Sequence, residues 1–450
     1  MPVALQVFLA ALLSAPGQLT ALWDGVATAR LEARVKAMRE AGEPASLADL
    51  HRLYPDPPKG QNAARLYRAA FAQMKKIAEQ DPGDDLPIVG DTELPPEGEA
   101  LPQAMLEAIE AYLDLHTDVL GLLHRAAKLD GCKFPLRFED GLMLQLQHLS
   151  SMRGATRLLA LEAIARTERG KADEAADSIV ASLRIGHHLR HEPVLITALV
   201  RIACDSIAVA QAQRWVSRVA PSPEALGRVQ KALAGEADRT LLENVFLAER
   251  CFGMDCYRRY VLNPKKRKIN ELVVGLGGPA PVLLNVVPKA YFKMDMVHYI
   301  DLMTAYVEAG RRPYPASLQA GARLGQDLEK QIPRHYVMCR TLLPALGRTF
   351  IAAQRHMARV DTARLALAAL RHKAKHGKLP EMLDALVPDL VEALPPDPFS
   401  GKPLLYRKDA EGFVLYAVGE NGRDDQGDIE RANGKQPDIG FRYIRPKAQF

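Results

Sequence analysis

Residues 377–418 contain the three segments that say most about this chain: GKLP (377–380), LPPDPFSGKP (394–403) and FVLYAV (413–418). The prolines and glycines of the first two segments exclude a continuous helix, since proline lacks a backbone N–H donor and glycine favours turns. The third segment is an alternating run, which predicts a strand. We therefore expect a small sheet at the end of the chain.

A loop rich in oxygen donors, GENGRDDQGD (419–428), follows the predicted strand directly. Calcium takes about six to eight oxygen ligands from carboxylates, amides and backbone carbonyls, often on glycine-containing loops. The loop supplies four side-chain donors, and a fifth residue further along would close the site: Asn421, Asp424, Asp425, Asp428 and Asp438. The sequence thus predicts a Ca²⁺ site, with a solvated acidic turn as the alternative.

The remaining three quarters of the chain have helical periodicity and no obvious chemistry. The chain has 450 residues, 48% apolar and 25% charged, which favours a folded protein over a disordered one. We predict a mainly α protein, an array of antiparallel helical hairpins with a small C-terminal α+β module containing a short antiparallel sheet. The predicted parts are N-terminal helices with a Pro/Gly/acid-rich linker (1–103, the linker at 80–103), a helical-hairpin domain (104–350) and the C-terminal module (351–450).

Charge and cysteine content narrow the range of partners and compartments. The formal net charge is +5, from 59 basic and 54 acidic side chains, so no nucleic-acid partner is expected. No C-x-x-C pair exists, which favours buried free thiols over a disulfide or metal site; the cysteines are Cys132, Cys204, Cys251, Cys256 and Cys339.

Residues 361–442 resemble the globular domain of the major pseudopilins of type II secretion systems. In that family a helix enters a G-x-[YL]-P turn, a leucine–proline–x–aspartate–proline–aromatic–glycine segment and a short sheet follow, and a calcium loop ends in Asp-Ile. The corresponding segments here are 377–380, 394–401, 416–422 and Asp438-Ile439. The resemblance implies a short sheet stabilised by Ca²⁺ and a place in the cell envelope.

The chain departs from that family in three respects. Asn421 stands where the family has a loop carboxylate, the interval from Gly427 to Asp438 is longer, and nothing before Asp361 matches the pseudopilin N-terminus. The whole chain resembles uncharacterised multi-helical bacterial proteins that carry such a tail, a resemblance that implies no activity.

Two further features suggest other functions. His187 and His191 are four residues apart, as in zinc-binding pairs, and with Glu192 they would suit a metal-dependent hydrolase; stabilisation by a helix dipole is the alternative. An apolar run (3–13) and a basic cluster (258–268) would suit a peripheral membrane protein.

The expected function is that of a non-catalytic interaction or scaffold protein of the cell envelope. A groove between the helical hairpins would receive a protein partner, and the Ca²⁺-stabilised tail would form a compact cap. The metal-dependent hydrolase and the peripheral membrane protein are the alternatives.

Overall fold

The computed structural model describes residues 17–236, 241–263, 287–333, 335–343, 346–429 and 437–446. The apolar run at 3–13 and the lysine-rich part of the basic cluster, 265–268, lie outside the described residues.

The described chain is mainly α-helical with one small sheet, as the sequence predicts. The helices are α1 (Gly17–Glu40), α2 (Ala64–Ala78), α3 (Gln103–Leu115), α4 (Thr117–Ala127), α5 (His148–Glu168), α6 (Ala172–Leu189), α7 (Leu195–Arg218), α8 (Pro223–Glu236), α9 (Leu241–Cys256), α10 (Lys289–Arg311), α11 (Ala316–Gln331), α12 (Val337–Leu342) and α13 (Gly347–His376). The strands are β1 (Leu405–Lys408), β2 (Gly412–Val418) and β3 (Asp438–Ile444). Short 3₁₀ turns lie at Ala48–Arg52, Phe138–Met143 and Leu383–Leu386, and a π-helical turn lies at Tyr257–Leu262.

Short connections place successive helices side by side. Only three residues separate α5 from α6, and Gly170 among them has φ of 72°, a conformation that glycine adopts without strain. The pair α5 and α6 therefore forms a hairpin, and α7 packs against both of its helices. On the other side of the molecule α10 packs between α1 and α9.

Helix α7 is the most apolar long helix of the described residues. It is the one described helix long and apolar enough to cross a membrane, and half of its most apolar window is buried within the structure. It also carries the fully buried charged residues Arg201 and Asp205. These features suit a core helix of a globular protein, which passes the same length and composition test.

Helix α13 connects the helical body to the C-terminal sheet. It packs against α7 and α8 on one side and against β2 and β3 on another. Between Phe350 and Leu370 its apolar side chains are buried on nearly every face. One hydrophobic core cluster contains Ile179 from α6, Leu226 from α8 and Phe413 from β2. The C-terminal module therefore shares its core with the helices before it.

The sheet has the order β1-β2-β3, with both pairs antiparallel. All residues of β2, the central strand, are buried. Helix α7 covers the outer edge of β3: the backbone N–H of Arg442 donates to Gln213 Oε1 at 2.9 Å, and that of Ile444 donates to Ser217 Oγ at 3.2 Å. These bonds satisfy edge donors that would otherwise be available for pairing with another chain.

The segment predicted as a linker, residues 80–103, packs against the helical body. Arg214 on α7 donates to the carbonyl of Pro95 at 3.0 Å, and Arg218 donates to that of Gly98 at 3.2 Å. Leu86 and Leu101 are buried in the core cluster formed by α2 to α6. The proline-rich composition indicated the lack of regular structure, but it could not indicate these long-range contacts.

The LPPDPFSGKP segment forms a turn around one buried carboxylate. Asp397 Oδ1 accepts from the backbone N–H of Phe399 at 2.7 Å and that of Ser400 at 3.4 Å. Its Oδ2 accepts from Ser400 Oγ at 2.8 Å and from the N–H of Val418, at the end of β2, at 3.0 Å. Asp397 thereby joins the turn to the sheet.

Replacing Asp397 with alanine leaves buried donors, among them the Val418 N–H, without an acceptor. We expect Asp397→Ala to lower the free energy of unfolding by about 2–4 kcal/mol, measured by urea denaturation. Asp389→Ala, which removes an exposed carboxylate 3.2 Å from Lys375, is the matched control and should change stability by less than about 0.5 kcal/mol. Equal effects of the two substitutions would contradict this role of Asp397.

Candidate cation-binding loop and buried polar clusters

The loop after β2 returns to the start of β3, where Asp438 is completely buried. Asp438 Oδ2 accepts from the backbone N–H of Gly427 at 2.9 Å, and the Asp438 N–H donates to the carbonyl of Asp428 at 3.2 Å. Asp438 Oδ1 is buried and has no hydrogen-bond partner among the described residues. One oxygen of a buried carboxylate is therefore unsatisfied.

The other predicted ligands lie on the same loop. Asn421 Nδ2 donates to Asp425 Oδ2 at 2.7 Å. Asp424 Oδ1 accepts from Tyr416 OH at 3.0 Å and from the Gln426 N–H at 2.8 Å. Asp428 is exposed, and its backbone N–H donates to the Asp425 carbonyl at 3.3 Å. All five predicted ligands thus belong to one continuous hydrogen-bonded region.

The electrostatics of this region favour a positive charge. Burial raises the pKa of Asp438, the N–H groups of Gly427 and Asp425 oppose that rise, and the carboxylates of Asp425 and Asp424 add to it. Burial and then the nearby Asp424 also raise the pKa of Tyr416 to about 12. Neutralisation by a cation would remove the repulsion between these carboxylates.

The described residues of the loop supply only part of the ligand set that a metal ion needs. Within the residues that the structure describes, no three or more His, Cys, Asp or Glu side chains are placed together to hold a metal ion. Calcium also takes amide and backbone carbonyl oxygens, which Asn421 and the loop backbone supply. Residues 430–436, between the loop and β3, lie outside the described residues. The orphan oxygen of Asp438 is the feature that suits Ca²⁺.

The histidine pair predicted as a zinc site has other partners. Helix α6 ends at Leu189, so His191 lies beyond it. His187 Nδ1 lies 3.1 Å from Glu236 Oε1. The guanidinium of Arg190 donates to His191 Nε2 at 2.8 Å and lies 3.4 Å from His187 Nδ1. A cation beside both imidazoles opposes the binding of a second cation there.

A buried charge cluster, which no local sequence pattern indicates, joins α7, α8 and α13. Arg201 Nη2 lies 3.1 Å from Glu236 Oε2, and Asp205 Oδ2 lies 3.5 Å from His356 Nε2. Burial and then Arg201 lower the pKa of His356 to about 4, whereas burial and then Glu236 raise that of Asp205 well above its usual range. A Cβ at Gly186 would lie 1.9 Å from Asp205 Oδ1, so only glycine fits there.

A second buried cluster brings together segments that are distant in sequence. His148 Nε2 lies 3.0 Å from Glu192 Oε2, and Thr197 Oγ1 donates to Glu192 Oε1 at 2.5 Å. The His148 ring stacks on Phe134, whose N–H donates to Tyr54 OH at 2.8 Å. These contacts join the segment around Phe134 to the segment around Glu192.

The glutamate of the Glu43-Pro44 pair and the cysteines also have structural roles. Burial raises the pKa of Glu43, but hydrogen bonds from Arg250 at 2.6 Å and Arg311 at 2.7 Å outweigh burial and lower this pKa. In addition, the Cys251 thiol donates to the Pro44 carbonyl at 3.4 Å. All five cysteines are buried and free, as the sequence predicts.

A polar groove of about 440 Å³ lies between α3, α4 and α5. Glu162 on its floor accepts from His124 Nε2 at 2.7 Å and from Ser178 Oγ at 2.8 Å, and it pairs with Arg166 at 2.7 Å. Its other polar and charged lining residues are Glu110, Asp114, Thr117 and Lys171. The groove thus offers both signs of charge on rigid helices.

Comparisons with known proteins found no matching family model, no matching curated protein and no matching solved structure.

The raised pKa of Asp438 predicts a specific pH dependence in the presence of excess chelator. The folded state favours the protonated carboxyl, so the cost of ionising it is absent at low pH and is complete once the pH exceeds the folded pKa. We expect Asp438→Asn to be more stable than the unmodified protein by about 1 kcal/mol at pH 8, with the advantage shrinking as the pH falls towards about 4.

Urea denaturation at several pH values measures this difference. Asp389→Asn changes an exposed carboxylate of the same module and should follow the unmodified protein at every pH. An Asp438→Asn variant that is less stable than the unmodified protein at pH 8 would contradict the unsatisfied state of this carboxylate.

Proposed function

We propose that this protein is a non-catalytic interaction or scaffold protein of the cell envelope, with a C-terminal module stabilised by Ca²⁺. The helical body would hold a protein partner, and the calcium loop would fix the connection between β2 and β3. The envelope placement follows from the pseudopilin resemblance and from the affinity of such loops, since extracellular calcium modules work at about 10⁻⁴ to 10⁻³ M.

One observation carries the calcium part of the proposal. Asp438 is fully buried, one of its oxygens lacks a hydrogen bond among the described residues, and Asp424 and Asp425 add negative potential. A buried carboxylate oxygen without a donor costs roughly 1–3 kcal/mol, or more for a charged group. A divalent cation bound by Asp438, Asn421 and neighbouring loop oxygens would offset that cost.

Calcium should therefore stabilise the folded protein. At a concentration ten times the dissociation constant, a ligand that binds only the folded state adds roughly 1.4 kcal/mol to the free energy of unfolding. We expect a gain of this size when the chelated protein receives millimolar Ca²⁺, and a smaller gain with Mg²⁺, which requires stricter octahedral geometry. Urea denaturation of the full chain measures it, because the module shares its core with α6 and α8.

Two variants make this experiment specific. Asp438→Asn should abolish the calcium gain, whereas Asp389→Asn, exposed and outside the loop, should keep it. Equal stability of the unmodified protein in chelator and in millimolar calcium would refute the calcium proposal.

The polar groove between α3, α4 and α5 is the proposed site for a protein partner. Its walls belong to helices, and His124, Ser178 and Arg166 already hold Glu162 in place, so a partner would lose little free energy in ordering this carboxylate. Gly121 on α4 lines the groove, and a Cβ placed there has no heavy atom within 4 Å.

Gly121→Trp should fill the groove without disturbing the fold. We expect it to reduce, by about tenfold or more, the yield of a partner crosslinked through a photoreactive residue at Thr117, in cells that make the protein natively. Ser150→Trp, at an exposed position of α5, is the control and should leave the yield unchanged. A crosslinked product that persists in Gly121→Trp would place the partner elsewhere.

A further inference from the structure

The first half of α1 exposes a face without charge. Every exposed residue from Gln18 to Ala29 is uncharged, and three are large and apolar: Leu19 is 57% exposed, Leu22 67% and Val26 45%. Their spacing of three and four residues places them on one side of the helix, and Ala29 and Ala33 extend the same line. We call Leu19, Leu22 and Val26 the apolar strip.

The single charged residue in this half of α1 points away from the apolar strip. Asp24 Oδ2 accepts from Lys293 Nζ on α10 at 2.8 Å, and the same ammonium donates to Thr28 Oγ1 at 2.7 Å. The opposite side of α1 therefore carries the helix's polar and packing contacts to α10. From Arg30 onward the exposed residues include several of both charges.

The sequence before α1 is uncharged as well. Residues 1–23 contain no Asp, Glu, Lys, Arg or His, and all of residues 3–13 except Gln6 are apolar. An uncharged stretch of sequence beside an exposed apolar strip is typical of a segment that contacts a lipid surface.

We propose that the apolar strip of α1 rests in the surface of a lipid bilayer. This inference rests on the envelope placement proposed above and names the lipid surface as one of the protein's contacts there. A second copy of the chain is a weaker occupant: three side chains of this size offer roughly 300 Å², whereas a stable dimer buries about 1,200 Å² or more in total.

The binding would be driven by apolar burial and not by charge. Arg258 donates to the carbonyl of Ala45 at 3.2 Å. Arg259 donates to Asp255 at 2.9 Å and to the Glu139 carbonyl at 2.7 Å, so both described arginines of the basic cluster have internal acceptors. Salt at about 1 M screens surface charges within about 3 Å and should leave apolar binding in place.

The fluorescence of the two tryptophans can report contact between α1 and lipid. Trp23 lies half-buried on α1 next to the apolar strip, whereas Trp215 is buried and donates its Nε1–H to the Ala172 carbonyl at 2.9 Å. Vesicles of phosphatidylcholine with brominated acyl chains should therefore quench the emission of Trp23 and spare that of Trp215. We expect the full chain to sediment with these vesicles in low salt and in 1 M NaCl, with partial quenching in both.

Two triple variants, one of the apolar strip and one control, test whether the apolar strip is where the protein contacts lipid. Replacing the apolar strip by serine (Leu19→Ser, Leu22→Ser, Val26→Ser) should weaken vesicle binding about tenfold or more and remove the quenching. The control replaces three scattered side chains of similar exposure, Leu115 (55%), Met143 (64%) and Met382 (67%), by serine and should bind as the unmodified protein does. Leu22→Ser alone, at the most exposed position, repeats the test with the least risk to folding.

Four results would overturn the inference. The first is that the protein does not bind neutral vesicles, and the second is that the strip variant binds as well as the unmodified protein. The third is that the unmodified protein forms a dimer without lipid and the strip variant does not, which would assign the strip to a second copy. Quenching that the strip variant retains would assign the contact to residues 1–16 alone and also overturn it. The calcium response is measured without lipid, so its failure is distinguishable from failure of this inference.

Discussion

Burial of α13 is the constraint on which the rest of the structure depends. A helix that is apolar on nearly every face must be covered on nearly every side. Helices α7 and α8 cover one part of α13, and β2 and β3 cover another. The shared core cluster that results makes the sheet part of the body, although the chain changes composition sharply at Gly377. This also explains why β3 finds its edge acceptors on α7, at Gln213 and Ser217.

Two buried aspartates in the C-terminal module illustrate the difference between a structural carboxylate and a candidate ligand. Asp397 accepts four hydrogen bonds, so its charge is satisfied by the turn that it organises. Asp438 Oδ2 accepts from the Gly427 N–H at 2.9 Å, while Asp438 Oδ1 is buried without a partner among the described residues. An unsatisfied buried carboxylate next to other carboxylates is a high-energy arrangement, and such arrangements concentrate at binding sites.

The proposed cell-envelope role links the two ends of the chain. The proposed lipid contact at α1 and the proposed calcium loop near the C-terminus include exposed residues, whereas the ionic clusters around Arg201 and Glu192 are buried between helices. Of the two histidines predicted as a zinc pair, His187 contacts that framework, since its Nδ1 lies 3.1 Å from Glu236 Oε1. His191 is exposed and accepts from Arg190. Whether a polar residue of this protein stabilises the interior or is available for binding therefore depends on its burial and its hydrogen-bond partners, and not on its residue type.

The amino-acid sequence alone determined the helical body, the short C-terminal sheet and the oxygen-rich loop, because helical periodicity, proline placement and a short apolar run between turns are local properties. The structure of the described residues confirms the fold class, and the calcium site remains a proposal. Only the tertiary structure decided that residues 80–103 pack on α7, that Asp205 meets His356 in the interior, and that one oxygen of Asp438 lacks a donor. Each of these depends on contacts between residues far apart in the chain, and no local pattern encodes which distant groups will meet.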